Sequence, residues 1–134
     1  MPAVENDITE IPTEPGTQLP RTAARDRRRA AVTAPRLGPG RYLAIEDGSE
    51  VVVIPIEGES LRLGRSTSAD VILEDVSVSR RHAVVVRRNQ DTVVLDDRSQ
   101  NGVVVNGQRV GGAVLDHGDE IRLGRVAMRY LHVP

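Results

Sequence analysis

From Arg41 onward the aliphatic residues come in short runs of Val, Ile and Leu, each closed by Gly, Asp, Asn or Ser. β-Branched side chains favour extended backbone, and runs this short leave no room for the crossover helices that a parallel sheet needs. The pattern predicts strands at about 41–46, 50–56, 60–64, 70–73, 83–88, 92–96, 103–105, 108–110, 113–115, 119–124 and 126–132. So many short strands at close spacing imply a β-sandwich or barrel. Asp47-Gly48 and Asn106-Gly107 read as hairpin turns, because both dipeptides readily supply positive φ. Alternation is only partial in Val84-Val85-Val86-Arg87-Arg88 and Ile121-Arg122-Leu123, so some strands are expected to be covered on both faces.

The rest of the composition narrows the class. The chain has 134 residues, with two Tyr and no Phe or Trp, so its core must be aliphatic. Residues 1–40 carry six prolines, many charges and no sustained apolar period, a composition that cannot offset the entropy of ordering the backbone. The expected organisation is a disordered tail over 1–40 and one folded domain over 41–134. Within the tail the sign of charge changes, from Glu5, Asp7, Glu10 and Glu14 to Arg21, Arg25, Arg27, Arg28 and Arg29, and Thr22 to Val32 could form a short helix on binding. Cysteine is absent, which excludes disulfides and thiolate chemistry and is compatible with a reducing cytoplasm. No apolar run suits a signal peptide or a spanning helix, so a soluble, cytoplasmic protein is expected.

The candidate functional residues lie in the breaks between runs. Arg65 offers a rigid fork of donors that matches a phosphate dianion and stays charged at any working pH, although alone it reads equally well as a surface ion pair. Ser79 can donate its hydroxyl to a phosphate oxygen or, as readily, shape a turn. Arg80 would add a second positive group at the rim, whereas Arg81 reads as a solvated neighbour. Asn101 carries a donor and an acceptor on one amide, which suits it to clamp an extended peptide backbone. Asn106 is explained by its turn, with any peptide contact secondary. Thr67 and Ser68 stand where they could touch a ligand or simply fill a loop.

Catalysis is not expected: Ser79, His82 and Asp96 or Asp97 can be written as a hydrolytic triad, but there is no nucleophile elbow and no α/β scaffold to carry it. His and Asp show no metal-ligand spacing and the glycines form no nucleotide-type loop, so no cofactor and no metal are implied. The alternative, a nucleic-acid-associated or structural role for the Arg-rich tail, lacks aromatic stacking platforms and a groove-entering helix, and the formal net charge is only -1.

Gly64-Arg65, Ser79-Arg80-Arg81-His82, Asn101-Gly102 and Asn106-Gly107 follow the order and spacing of the forkhead-associated (FHA) domain, of actinobacterial type, and the chain resembles that family over roughly 41–132. Leu115 to Gly124 is similar to the family's closing strands. The resemblance implies an all-β fold, a two-sheet antiparallel β-sandwich of about eleven strands (FHA/SMAD-like), whose apical loops bind phosphothreonine peptides. It implies Arg65, Ser79, Arg80, Gln100, Asn101 and Asn106 as phosphopeptide-binding, and Gly64, His82, Gly102 and Gly107 as residues that shape the site. The chain departs from the family at Gln100, where Ser or Thr often stands, and at Val103, where Thr is frequent.

A phosphothreonine brings about two negative charges, and each charge-assisted hydrogen bond to it contributes roughly 1.5–3 kcal/mol, so two give at least about a hundredfold preference over the unmodified residue. Selectivity for Thr over Ser is implied by the family alone. In the actinobacterial members it resembles, a Ser/Thr kinase modifies a threonine just ahead of the domain, which then captures its own tail. Thr9 and Thr13 are the matching candidates here, spread out between prolines. The expected partners are therefore phosphothreonine proteins, a Ser/Thr kinase and the chain's own tail, with no membrane, nucleic acid unlikely and the protein a monomer.

Overall fold

In the computed structural model, which describes residues 37–134, the aliphatic runs become eleven strands. They are β1 (Gly40–Asp47), β2 (Glu50–Pro55), β3 (Ser60–Gly64), β4 (Val71–Ile72), β5 (Ala83–Arg88), β6 (Asp91–Asp96), β7 (Val103–Val105), β8 (Gln108–Val110), β9 (Gly112–Val114), β10 (Glu120–Leu123) and β11 (Val126–Val133). The acidic and basic stretches of the tail, Thr9, Thr13 and the expected 22–32 helix lie outside the described residues.

The strands form a six-stranded sheet in the order β2-β1-β11-β10-β7-β8 and a five-stranded sheet in the order β4-β3-β5-β6-β9. Between them lies an aliphatic core to which both sheets contribute, Leu43, Ile121, Leu123 and Met128 from one and Leu63, Val85 and Val94 from the other. Tyr130 is the one aromatic in this core; its hydroxyl donates to Thr92 Oγ1 on the opposite sheet at 2.9 Å, and burial holds its phenol pKa above the ordinary value. Strands β5 and β6 are covered on both faces as expected: Val94 enters the core, while Val84, Val93, Leu95 and Val114 form a second apolar cluster.

Two details differ from the sequence reading. The five-stranded sheet is mixed, because β3 and β4 pair in parallel through Leu63↔Val71 and Gly64↔Ile72. β4 has two residues and meets only the end of β3, so the loop over 65–70 can double back without a crossover helix. The first hairpin turn is also shifted by one: Asp47 pairs with Glu50, leaving Gly48-Ser49 as the loop, and Gly48 takes the positive φ of 64°. Asn106-Gly107 is the expected turn, with φ of 52° and 82° at its two residues.

Candidate functional site

The site is built where the ends of β3, β6 and β10 meet the β4–β5 loop. Gly64 is the closing residue of β3, and a Cβ on it would run into the Arg80 carbonyl oxygen, so only glycine lets the two loop backbones touch. They are stitched there by Arg65 N–H to Ser79 O at 3.0 Å, Ser66 N–H to Arg80 O at 3.2 Å and His82 N–H to Leu63 O at 3.0 Å. These bonds place Arg65, Ser79 and Arg80 on adjoining backbone.

The side chain of Arg65 is exposed, yet its Nε donates to the carbonyl of Val78 at 2.9 Å. Val78 is 1% exposed, which gives that carbonyl a fixed position and orients the guanidinium. The two terminal nitrogens have no partner among the described residues. Ser79 is oriented as tightly: its N–H donates to His82 Nδ1 at 3.0 Å, and its Oγ accepts the Gln100 N–H at 2.9 Å. With the oxygen already accepting, the hydroxyl hydrogen is left to donate outward.

His82 is wholly buried. Nδ1 accepts from the Ser79 N–H, so the ring hydrogen sits on Nε2 and donates to the Gly102 carbonyl at 2.8 Å. Both ring nitrogens are spent on backbone, one for each loop, and neither is offered to the Ser79 hydroxyl. Asp97 is held by Arg81 in a two-pronged ion pair of 3.1 and 3.0 Å, and Asp96 Oδ1 accepts the Ser99 N–H at 2.8 Å. His82 and the two aspartates thus bond to backbone or to Arg81, not to the Ser79 hydroxyl. Arg81, read as a solvated neighbour, is exposed and also ties the start of β5 to the end of β6 through this pair.

The β6–β7 loop is shaped by Gly102, whose φ is 83° and whose N–H donates to Ser99 Oγ at 2.8 Å. Asn101 is exposed beside it, with Nδ2 donating to the Ser77 carbonyl at 2.8 Å. One amide hydrogen ties this loop to its neighbour, and Oδ1 has no hydrogen-bond partner among the described residues. Asn106 stands apart. Its Nδ2 donates to Asp119 Oδ1 at 3.0 Å and its Oδ1 accepts the Glu120 N–H at 2.9 Å, so both ends of the amide lock the β7–β8 turn to β10. Asn106 and Gly107 lie at the opposite end of β7 from Gly102; Asn106 is four residues on along the extended strand, about 13 Å away. The structure thus gathers Gly64, Arg65, Ser79, Arg80, His82, Gln100, Asn101 and Gly102 and leaves Asn106 and Gly107 outside the cluster. Thr67 and Ser68 lie in the β3–β4 loop that follows Arg65; Ser68 Oγ is 2.8 Å from Ser66 Oγ.

Sequence reasoning missed the hub that joins the loops. Ser77 donates from both N–H and Oγ to Asp75 Oδ1 at 2.8 and 2.6 Å, its Oγ accepts the Arg125 N–H at 2.8 Å, and its carbonyl receives Asn101. Arg125 closes the ring with an ion pair to Asp75 at 3.3 Å. The bonds from Ser77, before that from Arg125, hold the Asp75 carboxyl pKa below the ordinary value. The spacing Asp75-x-Ser77 is an Asx-turn signal that could have located half of this hub.

This geometry agrees with the comparisons to known proteins. The FHA-domain model matches residues 61–124, and the oxoglutarate dehydrogenase inhibitor of Corynebacterium jeikeium is 38% identical over 104 residues, covering 70% of this chain and 72% of that protein. The chain belongs to the FHA-domain family. Glycogen accumulation regulator GarA of Mycobacterium tuberculosis is 42% identical over 71 residues, which are 53% of this chain and 44% of GarA, so this FHA chain matches under half of that relative's length. A solved structure described as a structural and functional analysis of phosphothreonine-dependent FHA domain interactions superposes with a TM-score of 0.66 at 33% identity, covering 70% of this chain and 97% of the other. Among the described residues, no helix of this FHA protein is long and apolar enough to cross a membrane.

Proposed function

We propose that the chain is a phosphothreonine-peptide-binding adaptor that regulates partners in Ser/Thr kinase signalling, acting in the cytoplasm by docking and without catalysis. One observation carries this reading: a guanidinium anchored through Nε, its terminal nitrogens unpaired among the described residues, stands on backbone bonded to a serine whose oxygen already accepts one N–H and whose hydroxyl hydrogen is available to donate. In this reading Arg65 and Ser79 hold the phosphate and Arg80 adds charge at the rim. Asn101 and Gln100 contact the peptide backbone. Gly64, His82 and Gly102 keep the loops in register. The phosphothreonine-dependent interactions of the matching solved structure support the same ligand class. Titrating the labelled protein with a phosphothreonine peptide should move the amide resonances of residues 64–66, 77–82 and 99–102 and leave those of 106–108 in place. Shifts spread evenly over both sheets would contradict it.

The tail supplies a regulatory extension of the same reading: a kinase modifies Thr9 or Thr13, and the domain captures the modified tail in competition with partners. A linker of about 25–30 residues has a root-mean-square span of about 25–35 Å, enough to return to the loops at high effective concentration. Phosphorylating the full chain should shift the amides of Arg65, Ser79 and Asn101; shifts confined to the tail would refute capture.

A further inference from the structure

Side chains alternate along β1. Leu43 and Ile45 enter the core between the sheets, whereas Tyr42 and Ala44 join Val53 and Leu131 in a separate apolar cluster on the outer face of the six-stranded sheet. Leu37, three residues ahead of β1, packs on that same cluster. The backbone reverses at Gly40, whose φ is 149°, and the Tyr42 hydroxyl donates to the Gly38 carbonyl at 2.8 Å. Traced backwards from Gly40, the chain therefore turns over the sheet and heads along β1 towards Glu46, instead of running off its end.

At that end the outer face becomes acidic. Glu46 and Glu50, with Ala44 and Val51, line a hollow of about 190 Å³. Both carboxylates are exposed and have no ion-pair partner among the described residues. Arg129, the one cation lining the hollow, is turned to the Gly118 carbonyl at 3.0 Å and to Glu120 at 3.9 Å. Val51, opposite Glu46 on β2, is 42% exposed, and β2 is the edge of its sheet. An exposed aliphatic edge invites pairing with other chains unless something covers it.

The segment that leads into Leu37 has the complementary charge. Arg25, Arg27, Arg28 and Arg29 carry one acid among them, Asp26. Arg29 is eight residues before Leu37, a reach of about 26 Å if extended or about 12 Å if helical, against about 13 Å along β1 from Tyr42 to Glu46. We propose that residues 25–36 dock in cis along the outer face of the six-stranded sheet, continuing the seat of Leu37, with the arginines against Glu46 and Glu50 and their aliphatic stems over Val51. This docking needs no phosphate, leaves the loops of Arg65 and Ser79 unoccupied, and is independent of the phosphothreonine reading.

The chain has no cysteine, so Ala24→Cys carries a single nitroxide into the unphosphorylated full-length protein. At low salt the label should broaden the amide resonances of residues 44–53 and 129–131 and spare those of 64–66, 77–82 and 99–102. A mixture of labelled chains with unlabelled, isotope-enriched ones should show no such broadening, because the contact is within one chain. Each exposed pair shifts the docked population about two- to fivefold. Reversing charge in Glu46→Arg with Glu50→Arg should therefore relieve the broadening severalfold, and adding Arg27→Glu with Arg28→Glu should restore it. Leu37→Asp, which removes the seat and leaves the charges, should also relieve it. Raising salt to about 0.5 M should weaken the effect, since the Debye length falls below about 5 Å. Amide shifts of the five-stranded sheet that stay in place show that the variants remain folded. Broadening that is even over both sheets, centred on another face, or unchanged by charge reversal overturns the docking. Broadening that appears only in the mixed sample assigns the face to a second copy and overturns it equally. None of these outcomes bears on phosphopeptide binding.

Discussion

Arg65 and His82 divide the labour of the site between them. Arg65 gives its charge to solvent and one nitrogen to Val78, whereas His82 gives everything inward, one bond to each loop. Removing the His82 ring leaves the Ser79 N–H and the Gly102 carbonyl without partners around a cavity, so His82→Ala should cost about 2–4 kcal/mol of unfolding free energy. Denaturant melts of His82→Ala and the wild type check this: the substitution should shift the midpoint well down, and an unchanged midpoint would show that the ring is dispensable to the loops. The chemistry of Arg65, Ser79 and Asn101 was legible in the sequence, since residue type alone states which donors each can offer. How each is already occupied was not. Asn101 looks the same in sequence whether its Nδ2 meets a ligand or the Ser77 carbonyl, and the relevant partner is 24 residues away. Asn106, expected as a secondary contact, sits in an amide lock that only the pairing of β7 with β10 creates.

At the scale of elements, all eleven strands were legible to within a residue or two because Val-rich runs bounded by Gly, Asn and Asp carry their own punctuation. Strand order, the parallel β3–β4 pair and the Ser77 hub were not, because each depends on neighbours distant in sequence. The hub joins the β4–β5 loop to the β6–β7 loop and the β10–β11 turn through groups that weaken if Asp75 loses its charge. Its pKa is lowered in the fold, so the ionised form is favoured there. The contribution is therefore present above the ordinary carboxylate range and is lost as pH falls through the lowered value. Following the Ser77 and Arg125 amide resonances from about pH 6 to about pH 2 should reveal a transition below the ordinary Asp midpoint of about 3.9. A midpoint at or above that value would mean that the ring of bonds does not hold the carboxylate.

At the scale of the molecule, the described residues form an aliphatic sandwich that carries a polar, backbone-bonded loop cluster at one end. Its core takes a single aromatic, Tyr130, and Val, Leu and Ile fill most of the remaining space between the two sheets. That scaffold fixes the loop ends, and the loops are tied to one another by main-chain and His82 bonds before any ligand arrives. Little ordering then remains to oppose binding, so the interaction energy is available for distinguishing a phosphate dianion from a hydroxyl. The resemblance seen in four short motifs rests on this arrangement: most of the matching residues hold loops together, and only a few face outward. The central claim is that Arg65 reads the phosphate without supporting the fold. Calorimetry on the purified chain with one threonine peptide, phosphorylated and not, in the wild type and in Arg65→Ala tests it most directly. Binding should be at least about a hundredfold tighter for the phosphorylated form in the wild type and vanish in a variant that melts as the wild type does; equal affinity for the two peptides, or full binding by Arg65→Ala, would contradict the account.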